Sequence, residues 1–289
     1  MRSIREVAAG FSYLESPRWH QGRLWVSDFY THRVLAIDTS TGAVEEIVEV
    51  EGQPSGLGWL PDGSLLIASM LDRTVLRFSG GVLGPHADLS GLAAGPVNDM
   101  VVDLDGRAWV GNFGYDLMAG AEPAPTALIR VDPDGTVSPV ADGLLIPNVT
   151  IVASRRTLIV AETVGRRLTA FDIDGGDLAG RRTWADFDDP AVRAITGRPI
   201  LPDGISLDAA GCIWVADALS GRVIRVGEGG TIREEIAVDT GTFACMLGGP
   251  QGTTLFICGA PSYLADERRG TRDSVLLAVE VDVPRAGLP

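Results

Sequence analysis

Six stretches of this sequence repeat one pattern, and that repeat limits the chain to very few architectures. Each stretch reads as an apolar strand, a Gly-containing turn and an alternating strand. Aligning the second strands places Trp25, Leu66, Trp109, Ile159, Trp214 and Phe256 in one column, separated by 41, 43, 50, 55 and 42 residues. This is the length of a four-stranded propeller blade. Turn residues punctuate the strands at Pro61-Asp62-Gly63, Asp105-Gly106, Pro133-Asp134-Gly135 and Ala210-Gly211. Asp62, Asp105, Asp134 and Asp208 belong to these turns and read as structural. No amphipathic helix of about ten or more residues stands out. The expected fold is therefore all-β: a six-bladed β-propeller with four-stranded antiparallel blades, in one domain over residues 1–289. A β-sandwich, the competing all-β fold, does not predict six equal repeats. Residues 3–8 and 276–283 are expected to complete one blade together, which removes a free sheet edge. The two longer separations place insertions near 113–126 and 186–200.

Each repeat opens with a strand that should line the central channel. Counting back eleven residues from the aligned column gives Ser55, Asn98, Asn148, Asp203 and Cys245; allowing for a turn one residue shorter in the first repeat adds Glu15. Equivalent positions of a closed radial repeat converge on its axis. Two carboxylates facing each other in a narrow channel repel, and burying them unpaired costs several kcal/mol, roughly. No Arg or Lys occupies the ring to pair with them. A divalent cation resolves the conflict, with the carboxylates neutralising it and Asn amide oxygens adding neutral ligands. The polar column Asp28, Asn112, Glu162 and Asp217, which follows the second strands, reads as exposed hairpin polarity.

Composition removes other classes. The net charge of −14 disfavours nucleic acid and anionic membrane as partners, and no basic stripe offsets it. It also disfavours an anionic substrate unless a specific cation receives it. The three cysteines, Cys212, Cys245 and Cys258, match neither a disulfide framework nor a zinc site. The three histidines lack metal-ligand spacing, and no nucleophile elbow, P-loop or dinucleotide fingerprint is present. No N-terminal apolar run and no 18-residue apolar stretch is found, so a cytoplasmic location is the default expectation.

ESPRW at 15–19, VNDMVVDLDGRAWVGN at 97–112, IPN at 146–148 and PDGISLDAAGCIWVAD at 202–217 together resemble the gluconolactonase/regucalcin (SMP-30-like) family of six-bladed propellers. The resemblance spans essentially the whole chain. It implies a metal-dependent hydrolase that opens a lactone or related small ester, with a metal held by Glu15, Asn148 and Asp203. It also implies that Asn98 binds substrate or a metal-bound water. The expected cofactor is one divalent ion, Ca²⁺ first, with Mg²⁺, Mn²⁺ or Zn²⁺ as alternatives. Asp203 is the first candidate for general base and Asp99 the second. The sequence departs from the family where sugar-lactone members carry an Arg: here the residue is Pro96. With Phe113, Tyr115, Leu117 and Met118 on the 113–126 loop, this points to a small-molecule substrate less polar than a sugar lactone. The alternatives are a related propeller enzyme, such as a phosphotriester hydrolase or a lyase, and a non-catalytic calcium- or ligand-binding propeller. The oligomeric state stays open.

Overall fold

The computed structural model describes residues 2–117, 119–154, 156–218 and 220–288. Six four-stranded antiparallel sheets are arranged as the blades of a β-propeller. Blades 1 to 5 are each built from four consecutive strands and cover residues 14–49, 54–88, 97–144, 147–186 and 202–237. Blade 6 takes three strands from residues 241–280 and its outermost strand, Ile4–Phe11, from the other end of the chain. Ile4 pairs with Val279 and Phe11 with Ser274, so hydrogen bonds between the two ends of the propeller close the ring.

The blades follow from which strand faces what. Inner strands such as Val97–Val102 and Pro202–Leu207 are buried throughout, because a neighbouring blade covers each face. Outer strands such as Val44–Glu49 and Thr231–Ala237 carry charged residues on an open face. The hydrophobic clusters lie between blades: Ile151 and Ile159 of blade 4 pack with Ile205 and Val215 of blade 5, and Leu66 of blade 2 with Val110 of blade 3. Near the axis the inner strands approach too closely for most side chains. A Cβ on Gly56 would lie 2.5 Å from the Met100 nitrogen, and one on Gly204 2.4 Å from the Ala244 Cα.

Among the described residues the two α-helices lie in insertions, and one 3-10 turn, Phe29–Thr31, follows the second strand of blade 1. Helix α1, Pro190–Thr196, sits in the 186–200 insertion; the Asp189 carboxylate accepts from the Ala191 N–H at 2.8 Å, and Gly197 ends the helix at φ 69°. Helix α2, Ala265–Arg268, lies in the connection between the last two strands of blade 6, an insertion the repeat spacing did not reveal. No helix among the described residues is long and apolar enough to cross a membrane. Residues 284–288 run across the far ends of three blades, where Arg285 N donates to Gly252 O (2.9 Å), Ala286 N to Leu207 O (2.9 Å) and Leu288 N to Val152 O (3.1 Å).

Candidate functional site

Five of the six ring positions share one structural register. Each blade has a bulge just inside the start of its inner strand, following the pairs Pro54↔Ser69, Val97↔Asn112, Pro147↔Glu162 and Pro202↔Asp217. Ser55, Asn98, Asn148 and Asp203 are the next residues, and Glu15 follows the equivalent pair Leu14↔Asp28. The sixth expected position is corrected. In blade 6 the equivalent pair is Thr242↔Gly259, so its hairpin is two residues longer, one per strand. The ring residue there is Phe243, which lines the cavity at the channel mouth. Cys245 pairs in regular register with Ile257, and its thiol donates to Gly204 O at 3.4 Å. The ring therefore has one aromatic face and a polar remainder.

Glu15, Asn98, Asn148 and Asp203 all line this cavity, whose volume is about 310 Å³. Asn148 Nδ2 donates to Asp203 Oδ1 and, at 3.1 Å, to Thr163 Oγ1. Ser55 Oγ lies 3.4 Å from Asn98 Oδ1, and Glu15 Oε2 accepts from the Ser16 N–H at 3.3 Å. Burial pushes the Asp203 carboxyl up to about 8; the Asp99 charge adds to this and the Asn148 hydrogen bond opposes it. Burial, followed by the charges of Asp203 and Asp99, pushes Glu15 well above the usual carboxylate range. Arg18, a buried cation on the same strand as Glu15, is already engaged: it pairs with Asp99 and donates to Met100 O (2.8 Å), Leu57 O (3.1 Å) and Pro17 O (2.9 Å). Asp99 is thus buried behind the ring and is absent from the cavity wall.

Among the described residues no three His, Cys, Asp or Glu side chains gather as a metal cluster. The donor set here is instead two carboxylates and amide groups, and its chemistry fits a hard divalent cation. Two buried acids lack a cationic side chain, and the Asn148 amide supplies the partial positive charge that such an ion would otherwise bring.

This electrostatic strain carries an expected result. The folded pKa of Asp203, about 8, lies above that of an unfolded Asp, and Glu15 is displaced in the same direction. Protonation therefore favours the folded state, and this contribution is lost as pH rises from the ordinary carboxylate range through about 8. EDTA-treated protein should lose several degrees of Tm between roughly pH 5.5 and 8.5, and saturating Ca²⁺ should restore most of the loss at the upper end. Asp203→Asn should flatten the metal-free profile. Calorimetry checks this, and a parent Tm that falls no more steeply than that of the variant contradicts it.

The column Asp28, Asn112, Glu162 and Asp217 is buried, contrary to its reading as exposed hairpin polarity. These side chains hold the backbone that leads into the ring. Asp28 Oδ1 accepts from the N–H groups of Ser12 (3.0 Å) and Tyr13 (2.9 Å), just ahead of Glu15. Asp217 Oδ1 accepts from Leu201 N at 3.0 Å, two residues before Asp203, and Glu162 Oε2 from Leu145 N at 3.0 Å, shortly before Asn148. Asn112 instead ties the next strand, donating to Ala127 O and accepting from Thr126 Oγ1, both at 2.8 Å. Left-handed backbone also collects at the ring, with φ 50° at Ser16, 70° at Gln53 and 48° at the β-branched Ile146.

The walls are mainly apolar. Phe113 and Leu117 of the 113–126 loop line the cavity together with Pro96. Tyr115 does not: it is buried away from the cavity wall, and its backbone packs on Gly95, where a Cβ would lie 2.7 Å from the Tyr115 oxygen. Met118 lies outside the described residues. The rest of the wall escaped the sequence reading. Phe29 and Tyr30 follow the second strand of blade 1, at the end where the ring residues sit, and that position was the available signal. Tyr13 stacks obliquely on Phe29 (5.3 Å) and on the ring residue Phe243 (5.0 Å). Tyr263 and Arg269 arrive with the segment that carries α2; the extra length of that connection was their only trace in the sequence.

Comparison with known proteins places this geometry. Residues 14–260 match the family model described as SMP-30/Gluconolactonase/LRE-like region. The pentonolactonase XacC of Haloferax volcanii is 29% identical over 287 residues, covering 95% of this chain and 92% of that protein. Among solved structures, a luciferin-regenerating enzyme superposes with a TM-score of 0.83 at 17% identity, covering 100% of this chain and 98% of the other. A calcium-binding protein, regucalcin, from Agrobacterium tumefaciens gives 0.81 at 21% identity, covering 100% and 97%. The six blades, the ring register and the match over residues 14–260 together establish that this chain belongs to the SMP-30/gluconolactonase/LRE-like family of six-bladed β-propellers.

Proposed function

We propose that this protein is a divalent-metal-dependent lactonase whose substrate is less polar than a sugar lactone. One observation carries the reading: two buried, mutually repelling carboxylates, Glu15 and Asp203, sit with two Asn amides at the floor of a cavity walled by aromatic and aliphatic side chains. The similarity to a pentonolactonase supports lactone opening as the reaction class. Glu15, Asn148 and Asp203 would hold the ion, which when bound supplies Lewis-acid polarisation of a carbonyl oxygen.

The chain's own residues supply the rest. Asp203 takes a proton from an attacking water at its carboxylate oxygen and returns it to the ring oxygen as the acyl C–O bond breaks, giving a hydroxy acid. Asn98, separated from it in the ring by Asn148, orients the water or the carbonyl oxygen through its amide. Asp99 is less suited to proton transfer, because it is paired with Arg18 and lies off the cavity wall. Phe29, Phe113 and Phe243 exclude water and bind the apolar body. Burial of one aromatic ring of substrate contributes about 1.5–3 kcal/mol, or roughly 10–150-fold in kcat/KM.

The test is acid release from dihydrocoumarin, an alkyl-substituted γ-lactone and glucono-1,5-lactone, each corrected for spontaneous opening, with and without EDTA. Expected is EDTA-sensitive turnover with dihydrocoumarin ahead of gluconolactone by about tenfold or more. Release from none of the three would remove the hydrolase reading. Equal or faster opening of gluconolactone would remove the preference for a less polar substrate.

A further inference from the structure

The cavity mouth carries a cation that the reaction outlined above does not use. Arg269, just past α2, is exposed and is the one basic side chain among the described residues lining the cavity. The neighbouring arginines are committed locally. Arg268 is buried and pairs with Asp273, and Arg272 Nη1 donates to Thr271 O (2.6 Å) and Arg269 O (3.2 Å). Among the described residues no carboxylate pairs with Arg269, in a chain of net charge −14 whose other arginines are repeatedly ion-paired. Asp116, which also lines the cavity, accepts from the Ala119 N–H of its own loop at 3.0 Å. Arg269 lines the same cavity as Tyr30 and Tyr263, whose hydroxyl and carbonyl are joined by a 2.7 Å hydrogen bond from Tyr30 Oη to Tyr263 O.

The cavity is therefore graded: carboxylates and amides at the floor, apolar wall between, one guanidinium at the rim. We propose that Arg269 receives a carboxylate at the end of the substrate remote from the lactone ring, so that the substrate class is an apolar-bodied lactone with a terminal carboxylate. A guanidinium matches a carboxylate with two parallel N–H donors, and Arg269 offers such a fork at the edge of the apolar wall. The net charge keeps anions away in general; Arg269 is the specific cation that admits one kind. The inference rests on the lactonase reading for its substrate class, and on the position of Arg269 for the carboxylate.

The experiment compares two γ-lactones with the same alkyl chain, one ending in a carboxylate and the other in a primary amide, using the Ca²⁺-loaded protein. The parent should favour the carboxylate by about tenfold or more in kcat/KM, and Arg269→Gln should bring the ratio to about one. Arg269→Lys, which keeps the charge and loses the fork, should retain part of the ratio. A parent ratio near one, or a ratio that Arg269→Gln leaves unmoved, overturns the proposal. If the parent opens neither lactone, the hydrolase reading has failed and calorimetric binding judges Arg269 separately, with 4-phenylbutyrate and 4-phenylbutyramide as probes. Tighter binding of the carboxylate that disappears in Arg269→Gln supports the site. Equal affinities, or a carboxylate preference that persists in the variant, overturn it.

Discussion

Asp203→Asn should lower kcat by about 10²–10⁴ at saturating metal, the range for losing general-base catalysis. The substitution is nearly isosteric and keeps an oxygen that can face a cation, so the ring geometry should survive. It removes a negative charge and, among the described residues, the one ring carboxylate lining the cavity besides Glu15. Metal affinity should fall modestly, which titration of the EDTA-treated variant with Ca²⁺ would separate from the loss in turnover. Initial rates on dihydrocoumarin across a metal titration give both numbers. Activity within threefold of the parent at saturating metal would reject Asp203 as the base. The same variant is expected to be more stable than the parent without metal near pH 8, because it deletes a buried charge that nothing on the floor neutralises. Opposite signs for activity and metal-free stability are hard to obtain from a merely structural Asp, so the pair of measurements is more discriminating than either alone.

The second large effect lies one layer below. Arg18→Met should destabilise the protein by about 3–5 kcal/mol, because it leaves the Asp99 carboxylate buried without its cation. Both side chains are almost fully buried, at 3% and 2% exposure, so solvent cannot replace the lost partner. One oxygen of Asp99 already has no hydrogen-bond partner, which leaves little to absorb the change. The orphaned charge would also add to the field acting on Glu15 and Asp203, both of which already respond to Asp99. Denaturant unfolding of EDTA-treated protein measures the effect. Adding Asp99→Asn to Arg18→Met should recover more than half of the loss, since the pair is then removed together. A double variant no better than Arg18→Met would assign the cost to lost packing and lost backbone acceptor contacts instead of to the unpaired charge.

Much of this molecule is written in spacing. Blade number, the strand order within a blade and the ring register of Glu15, Ser55, Asn98, Asn148 and Asp203 follow from a repeat of strands and turns, because strand periodicity and turn length are set by residues close together in the chain. The closing strand was legible because a ring of blades leaves a free sheet edge unless residues 3–8 pair with 276–283.

What spacing does not contain is the identity of distant partners. Cys245 and Phe243 exchanged places because the two extra residues of the last hairpin sit inside a continuous apolar run, where no turn residue marks them. Asp28, Glu162 and Asp217 looked like surface polarity because the N–H groups they accept from lie just beyond the paired end of the same hairpin, where no residue pattern marks them, and these acids are buried in the assembled fold. Pairing of Arg18 with Asp99 joins blade 1 to blade 3, and the effect of the Asp99 charge on Glu15 is invisible until the two carboxylates are buried together. Tyr115 is buried off the cavity wall while Phe113 lines it, a difference that residue type does not encode. Arg269 reached the rim through an irregular connection that has no period to read. Local periodicity therefore placed the carboxylates on the axis. Closure of the ring decided which charges remain unpaired there, because burial and pairing depend on contacts between residues far apart in the chain.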